Sequence, residues 1–232
     1  MTITFAHRGG RADHPENTLR AFKRALAHGA IGLETDAWSS KDGEVVLVHD
    51  QNNWVKRAGF LPWKINVSKK TAKELASFEI PTLGELYSIC GTDYELSIDC
   101  KEPRVAELII KEAQARNAAE KLWLCDSSLT RLRYLREKYL GVHLVHSRSK
   151  RKISSTMERH AADLSAANIT AMNMHHSEWT LGLVTLFHRF NIKVFAWDVQ
   201  EVRNLRSMLA MGIDAVYSDH VDRMVSVVAE WR

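Results

Sequence analysis

From residue 94 onward, short apolar runs alternate with helical stripes at near-regular intervals, and this alternation restricts the fold more than any other feature of the chain. The runs 94–101, 122–125, 142–146, 169–174, 192–197 and 214–218 read as strands. Stripes of helical period fall between them: Val105, Leu108 and Ile109, then Leu129, Leu132 and Leu135, a weaker helix over 154–163, then Leu181, Val184 and Phe187, and Val202, Leu205 and Leu209. A last helix covers 221–231. Upstream, runs 2–6 and 31–38 flank a helix with Leu19, Phe22 and Leu26 on one face, for which Asn17 is the expected N-cap and Gly29 the stop. The Asp42-Gly43 turn leads into a short run, 44–48, that delivers His49 and Asp50, and Pro81-Thr82 opens a helix ended by Gly91. Strand-then-helix repetition means crossover connections, and crossovers mean a parallel sheet. About eight such units in 232 residues predict an α/β fold, a (β/α)8 TIM barrel forming one domain over 1–232. The alternative is an open doubly wound sheet, but no GxGxxG follows the first run. Residues 51–80 lose periodicity and carry Trp54, Pro62 and Trp63, so they read as a rim loop or small insertion.

Polar residues support the barrel. His7, Glu34 with Asp36, Asp99 with Lys101, Trp197 and Asp219 all fall at or just past the C-terminal ends of these runs. In a barrel those ends converge on one face, where such enzymes build their sites. Side chains at i and i+2 of a strand share a face, so Glu34 and Asp36 address one point, as do Asp99 and Lys101. Three carboxylates at one mouth repel unless a cation sits among them. With His7 and His49 they make a set suited to metal-assisted acid–base chemistry. The milder readings are an orienting or turn role for Asp50, loop-fixing or capping for Glu16 and Asn17, a loop or helix cap for Asp219, and core packing for Trp197. His175 and His176 either line the mouth or sit in a surface loop.

Composition excludes other classes. The formal charge of +4 fits an anionic substrate and also any ordinary soluble protein. The densest basic run, Ser147 to Lys152, reads as a solvated loop, and no basic–aromatic interleaving or known module points to nucleic acid. No apolar run is long enough to span a membrane, so stable membrane insertion is not expected. Cys90, Cys100 and Cys125 form no CxxC or zinc spacing. The odd count, with a first strand that begins at once, points to reduced thiols in a cytoplasm.

The ordered pattern HRG…PENT…AF…A…G…E-x-D…DG…V…HD resembles the glycerophosphodiester phosphodiesterase family. The resemblance continues in PTLGELY (81–87), SIDCK (97–101), FAWDVQ (195–200) and GIDAVYSDHVD (212–222). It implies a (β/α)8 barrel that hydrolyses a small-molecule glycerophosphodiester to glycerol 3-phosphate and an alcohol. It further implies His7 and His49 as the acid–base pair, and Glu34, Asp36 and Asp99 as ligands of one divalent cation. Mg2+ is favoured over Ca2+ because the donors are all oxygen and Asp99 reaches less far than the family's usual glutamate. Arg8 and Lys101 are expected at the phosphate and Trp197 at the pocket wall. Two rival functions share the barrel. One is lysophospholipase-D- or sphingomyelinase-D-like cleavage of a lipid headgroup, for which Trp54, Phe60, Leu61 and Trp63 could form an apolar ramp. The other is a non-catalytic barrel that binds a phosphodiester. A homo-oligomer is compatible with all three.

Overall fold

The computed structural model describes residues 2–55 and 61–231. Eight parallel strands close on themselves: β1 (Ile3–Ala6), β2 (Gly32–Ser39), β6 (Glu95–Cys100), β7 (Leu122–Asp126), β8 (His143–Ser147), β9 (Ala171–His175), β10 (Lys193–Trp197) and β11 (Ala215–Ser218). Each pairs with its predecessor in that order, and β1 pairs with both β2 and β11, which seals the ring. The remaining strands lie outside it. β3 (Val45–Leu47) runs antiparallel on β2, and β4 (Asn52–Val55) and β5 (Trp63–Asn66) form a separate antiparallel pair. Helices α1 (Leu19–Ala27), α3 (Leu83–Cys90), α4 (Val105–Ala115), α5 (Leu129–Lys138), α6 (Met157–Ala166), α7 (Leu181–Arg189), α8 (Val202–Met211) and α9 (Val221–Glu230) follow the strands around the outside, with a short α2 (Ala72–Ala76) in the rim segment. The barrel expected from the alternation is the observed fold.

Strand alternation divides the apolar residues into two layers. Ala6, Leu33, Ala37, Leu96, Ile98, Leu124, Leu144, Val194 and Val216 point outward and pack with the helices. Phe5, Trp123, Cys125, Val145, Ala171, Phe195, Ala215 and Tyr217 point inward and plug the barrel. Phe5 stacks on Tyr217 with ring centroids 4.9 Å apart, and Phe195 meets Trp123 at 5.1 Å. Two residues further along these strands the same inner face carries His7, Ser127, Ser147, Asn173, Trp197 and Asp219, and the chemistry sits directly on this aromatic floor.

Two glycines set the entry to the site. Gly9 (φ +80°) and Gly10 (φ +86°) follow β1 in left-handed backbone, a conformation that costs little only without a Cβ. A Cβ on Gly9 would lie 2.9 Å from the Ala21 Cβ, and one on Gly10 would lie 2.6 Å from the Val221 Cγ2. Gly9→Ala is therefore expected to destabilise the protein by ~1–3 kcal/mol through strain and overpacking. Chemical denaturation would measure this, and an unchanged midpoint would contradict it.

The structure changes two local expectations and chooses between the two readings of the rim segment. Thr18, not Asn17, caps α1, its hydroxyl accepting from the Ala21 N–H at 3.2 Å. Asn17 adopts φ +56° and turns its amide inward, where Thr35 Oγ1 donates to it at 2.7 Å. The helix expected over 154–163 begins at Met157, capped by Thr156. The rim segment is a small folded insertion rather than a loop: its short strands carry Asn52, Trp54 and Lys64 outward and bury Val55 and Ile65 with Val46, Val67 and Leu75. Four-residue edge strands are too short to show a period, and so the sequence pattern fades there. Phe60 lies outside the described residues.

Candidate active site

All eight candidate residues line one cavity of about 670 Å³ at the C-terminal mouth of the barrel. β1 delivers His7, the turn after it Arg8, and β3 leads into His49. β2 supplies Glu34 and Asp36, and the neighbouring β6 supplies Asp99 and then Lys101. The β2–β6 register sets Asp36 beside Asp99, so their carboxylates face each other across adjacent strands.

His7 is held from two sides. Its Nδ1 lies 2.6 Å from Asp219 Oδ1, and its Nε2 lies 3.8 Å from Glu34 Oε2. Burial alone would depress its pKa, but the Glu34 charge and the Asp219 hydrogen bond outweigh it and raise the pKa above the usual value. Asp219 is fixed in turn by Arg11, whose Nε donates at 3.0 Å. Burial tends to raise the Asp219 carboxyl, but its hydrogen bond to His7 and the charges of His7 and Arg11 bring it below the ordinary value. His49 Nδ1 lies 2.9 Å from Asp50 Oδ1, so Asp50 sits where it orients the imidazole.

The carboxylates are unequally served by cations. Lys101 Nζ lies 2.9 Å from Asp36 Oδ1 and 2.7 Å from Asp99 Oδ2. Arg8 Nε lies 3.2 Å from Asp36 Oδ2 without hydrogen-bond geometry, while Arg8 Nη1 reaches Glu16 at 3.0 Å. Burial pushes Asp36 up, but Lys101 and Arg8 overcome it and hold its carboxyl below the ordinary value. Among the described residues Glu34 has no comparable partner. It accepts from the Arg8 backbone N–H at 2.9 Å, and burial with the nearby Asp36 and Asp99 charges pushes it up to about 7 despite His7. Burial likewise raises Asp99, opposed by Lys101.

A divalent cation fits this surplus of negative charge. Glu34, Asp36 and Asp99 offer only oxygen, the donor set of a hard ion, and among the described residues Glu34 pairs with no lysine or arginine side chain, only with His7 at 3.8 Å. Their oxygens are nevertheless not gathered within 4.8 Å of one another; Lys101 bridges Asp36 and Asp99 instead.

Some neighbours exceed what the sequence pattern showed. Asp219 is not merely a loop or cap residue but the partner of His7, and Asn17 braces β2 beneath Asp36. Arg148 and Lys152, within the run read as a solvated loop, line the cavity because β8 ends beside it. Trp197 is 41% exposed at the mouth, which removes the core-packing reading. The strand-end rule already placed Asp219 at the mouth; which side chain it meets depends on closure of the ring. Asp219→Asn is expected to lower turnover by ~10- to 100-fold, part of the ~10²–10⁴-fold that an acid–base group supplies. Loss of the Asp219 charge lowers the pKa of His7, so an acid-side limb governed by neutral His7 moves to lower pH. A pH–rate profile with an unmoved limb would contradict this.

The family model described as the glycerophosphoryl diester phosphodiesterase family matches residues 7–223. The chain belongs to that family. Members of the glycerophosphoryl diester phosphodiesterase family are hydrolases of phosphoric diesters, and this chain is an enzyme of that class. It is 27% identical over 246 residues to the glycerophosphodiester phosphodiesterase of Caldanaerobacter subterraneus subsp. tengcongensis, with 98% of each chain covered. The glycerophosphodiester phosphodiesterase structure from Thermotoga maritima superposes with a TM-score of 0.83 at 26% identity, covering 98% of each chain. A phosphodiesterase from Oleispira antarctica, solved with its product sn-glycerol-3-phosphate, shares the fold with a TM-score of 0.82 at 20% identity, covering 99% of this chain and 97% of that one.

Proposed function

We propose that the protein hydrolyses small glycerophosphodiesters to glycerol 3-phosphate and an alcohol, using His7 and His49 as a general acid–base pair. The observation that carries this reading is the placement of two imidazoles, each with its own carboxylate partner, in one cavity with Glu34, Asp36, Asp99, Arg8 and Lys101. Glu34, Asp36 and Asp99 would hold one divalent cation, Mg2+ in preference to Ca2+, which supplies Lewis-acid stabilisation of phosphoryl charge.

Arg8 and Lys101, which both line the cavity, bind the phosphoryl oxygens. His7, oriented by Asp219, takes the proton of the glycerol 2-hydroxyl as that oxygen bonds to phosphorus. The bond from phosphorus to the alcohol oxygen breaks, and His49 protonates the leaving oxygen. Water then opens the cyclic phosphodiester with the two histidines in exchanged roles. Trp197 covers the glycerol or headgroup at the mouth. The three cysteines are unpaired, which fits action in a reducing cytoplasm.

The lipid-headgroup reading receives less support. Trp54 and Leu61 are 65% and 87% exposed on the rim, but neither they nor Trp63 line the cavity, whose mouth is polar. Among the described residues no helix is long and apolar enough to cross a membrane. The deciding experiment measures release of the alcohol, choline or ethanolamine, from glycerophosphocholine, glycerophosphoethanolamine and a long-chain lysophosphatidylcholine. Turnover of the first two well above the third is expected. Faster release from the lysolipid would establish the lipid reading, and no release from any would leave a binding barrel.

A further inference from the structure

A second cluster of ligating side chains stands at the same mouth, outside the machinery assigned above. Among the described residues, His175, His176 and Asp198 are the one group of three His, Cys, Asp or Glu side chains whose ligand atoms all lie within 4.8 Å of one another. His175 ends β9, two residues beyond Asn173 on the inner face, and His176 follows it into a short 3-10 turn. Asp198 comes directly after Trp197 at the end of β10, the neighbouring strand.

We propose that His175, His176 and Asp198 bind a borderline divalent transition-metal ion of the Zn2+ type, separately from the hard cation of the carboxylate trio. His175 Nε2 and Asp198 Oδ2 are 3.1 Å apart, close to the about 3.3 Å between two ligands of a tetrahedral zinc at ~2.0–2.1 Å bond lengths. Both ligands are already oriented by neighbours, as metal ligands commonly are. Ser177 Oγ lies 2.7 Å from His175 Nδ1, and the Ser177 backbone N–H donates to the same nitrogen at 3.3 Å, which holds the ring with Nε2 toward Asp198. Gln200 Nε2 donates to Asp198 Oδ1 at 3.1 Å, leaving Oδ2 for coordination. Asp198 itself adopts φ +62°, which turns it back toward His175.

The donor set selects the ion. Two imidazoles and one carboxylate suit zinc, copper or nickel and suit Mg2+ poorly, whereas the all-oxygen trio has the opposite preference. Three protein ligands would leave a fourth position open for water, and Asp198 also lines the cavity. The His175 ring meets the edge of Trp197 with centroids 4.6 Å apart, and an ion bound here would fix the cavity wall.

Equilibrium dialysis against Zn2+, with Mg2+ in large excess to hold the carboxylate trio, tests the proposal without relying on turnover. Wild-type protein is expected to bind one Zn2+ per chain. Asp198→Asn and His176→Gln are each expected to bind at least about tenfold more weakly, while Glu34→Gln keeps wild-type zinc affinity. Co2+ in place of Zn2+ should give visible ligand-field bands that disappear in the same two variants. Unchanged zinc binding in both variants would overturn the proposal. So would zinc binding lost in Glu34→Gln, or no zinc bound under excess Mg2+.

Discussion

His7→Ala is expected to lower kcat for glycerophosphodiester hydrolysis by ~10²–10⁴-fold, and His49→Ala to do the same. The two histidines differ in setting, and the variants should differ with them. His7 is half-buried and bound to Asp219 on one side, with Glu34 3.8 Å away on the other. Its removal leaves two carboxylates without that partner but opens no apolar core, so circular dichroism should report a folded protein. His49 is 35% exposed at its side chain, with Asp50 more open still, and His49→Ala should leave stability within experimental scatter. The double variant should be little worse than either single one, because residues acting as a unit are not additive. A near-wild-type rate in either single variant would remove the two-histidine mechanism.

Chelation is expected to abolish turnover, and Mg2+ or Ca2+ to restore it to different extents. The same carboxylates give a readout on the fold. Glu34 has a folded-state pKa of about 7 against an ordinary 4.5, so the folded protein holds its proton more tightly than the unfolded chain does. That contribution to stability is fully present below pH 4.5 and is lost as pH rises through about 7. A cation among Glu34, Asp36 and Asp99 relieves their repulsion only when Glu34 is ionised. Added Mg2+ should therefore raise the thermal midpoint more at pH 8 than at pH 5. Full activity in chelator, or a midpoint insensitive to Mg2+ at both pH values, would contradict the assignment of the trio to a cation.

The ring of strands and the inner-face residues were legible because both follow from short-range periodicities. Glu34 and Asp36, or Asp99 and Lys101, share a face by strand geometry alone, and apolar stripes marked most helices within a few residues. The contacts that give those residues their properties were less legible. Asp219 meets His7 only because β11 lies beside β1, and Asn17 was drawn from capping α1 to bracing Thr35 by a left-handed backbone that the capping rule does not anticipate. The basic run misled for a related reason. A row of lysines and arginines is ordinarily solvated, but Arg148 is tied to the Ser127 carbonyl at 2.8 Å, which keeps it at the cavity wall. In the rim pair, two four-residue strands bury only Val55 and Ile65, too few positions to make a pattern.

The pairing of His7 with Asp219 spans 212 positions of sequence and crosses the seam where β1 meets β11. While the chain is being synthesised, the histidine emerges early and its orienting carboxylate very late. Contacts of such separation form only after most of the loop-closure entropy has been overcome. On the proposed mechanism, turnover is therefore expected to appear only once the final strand has joined the ring, and so to report ring closure.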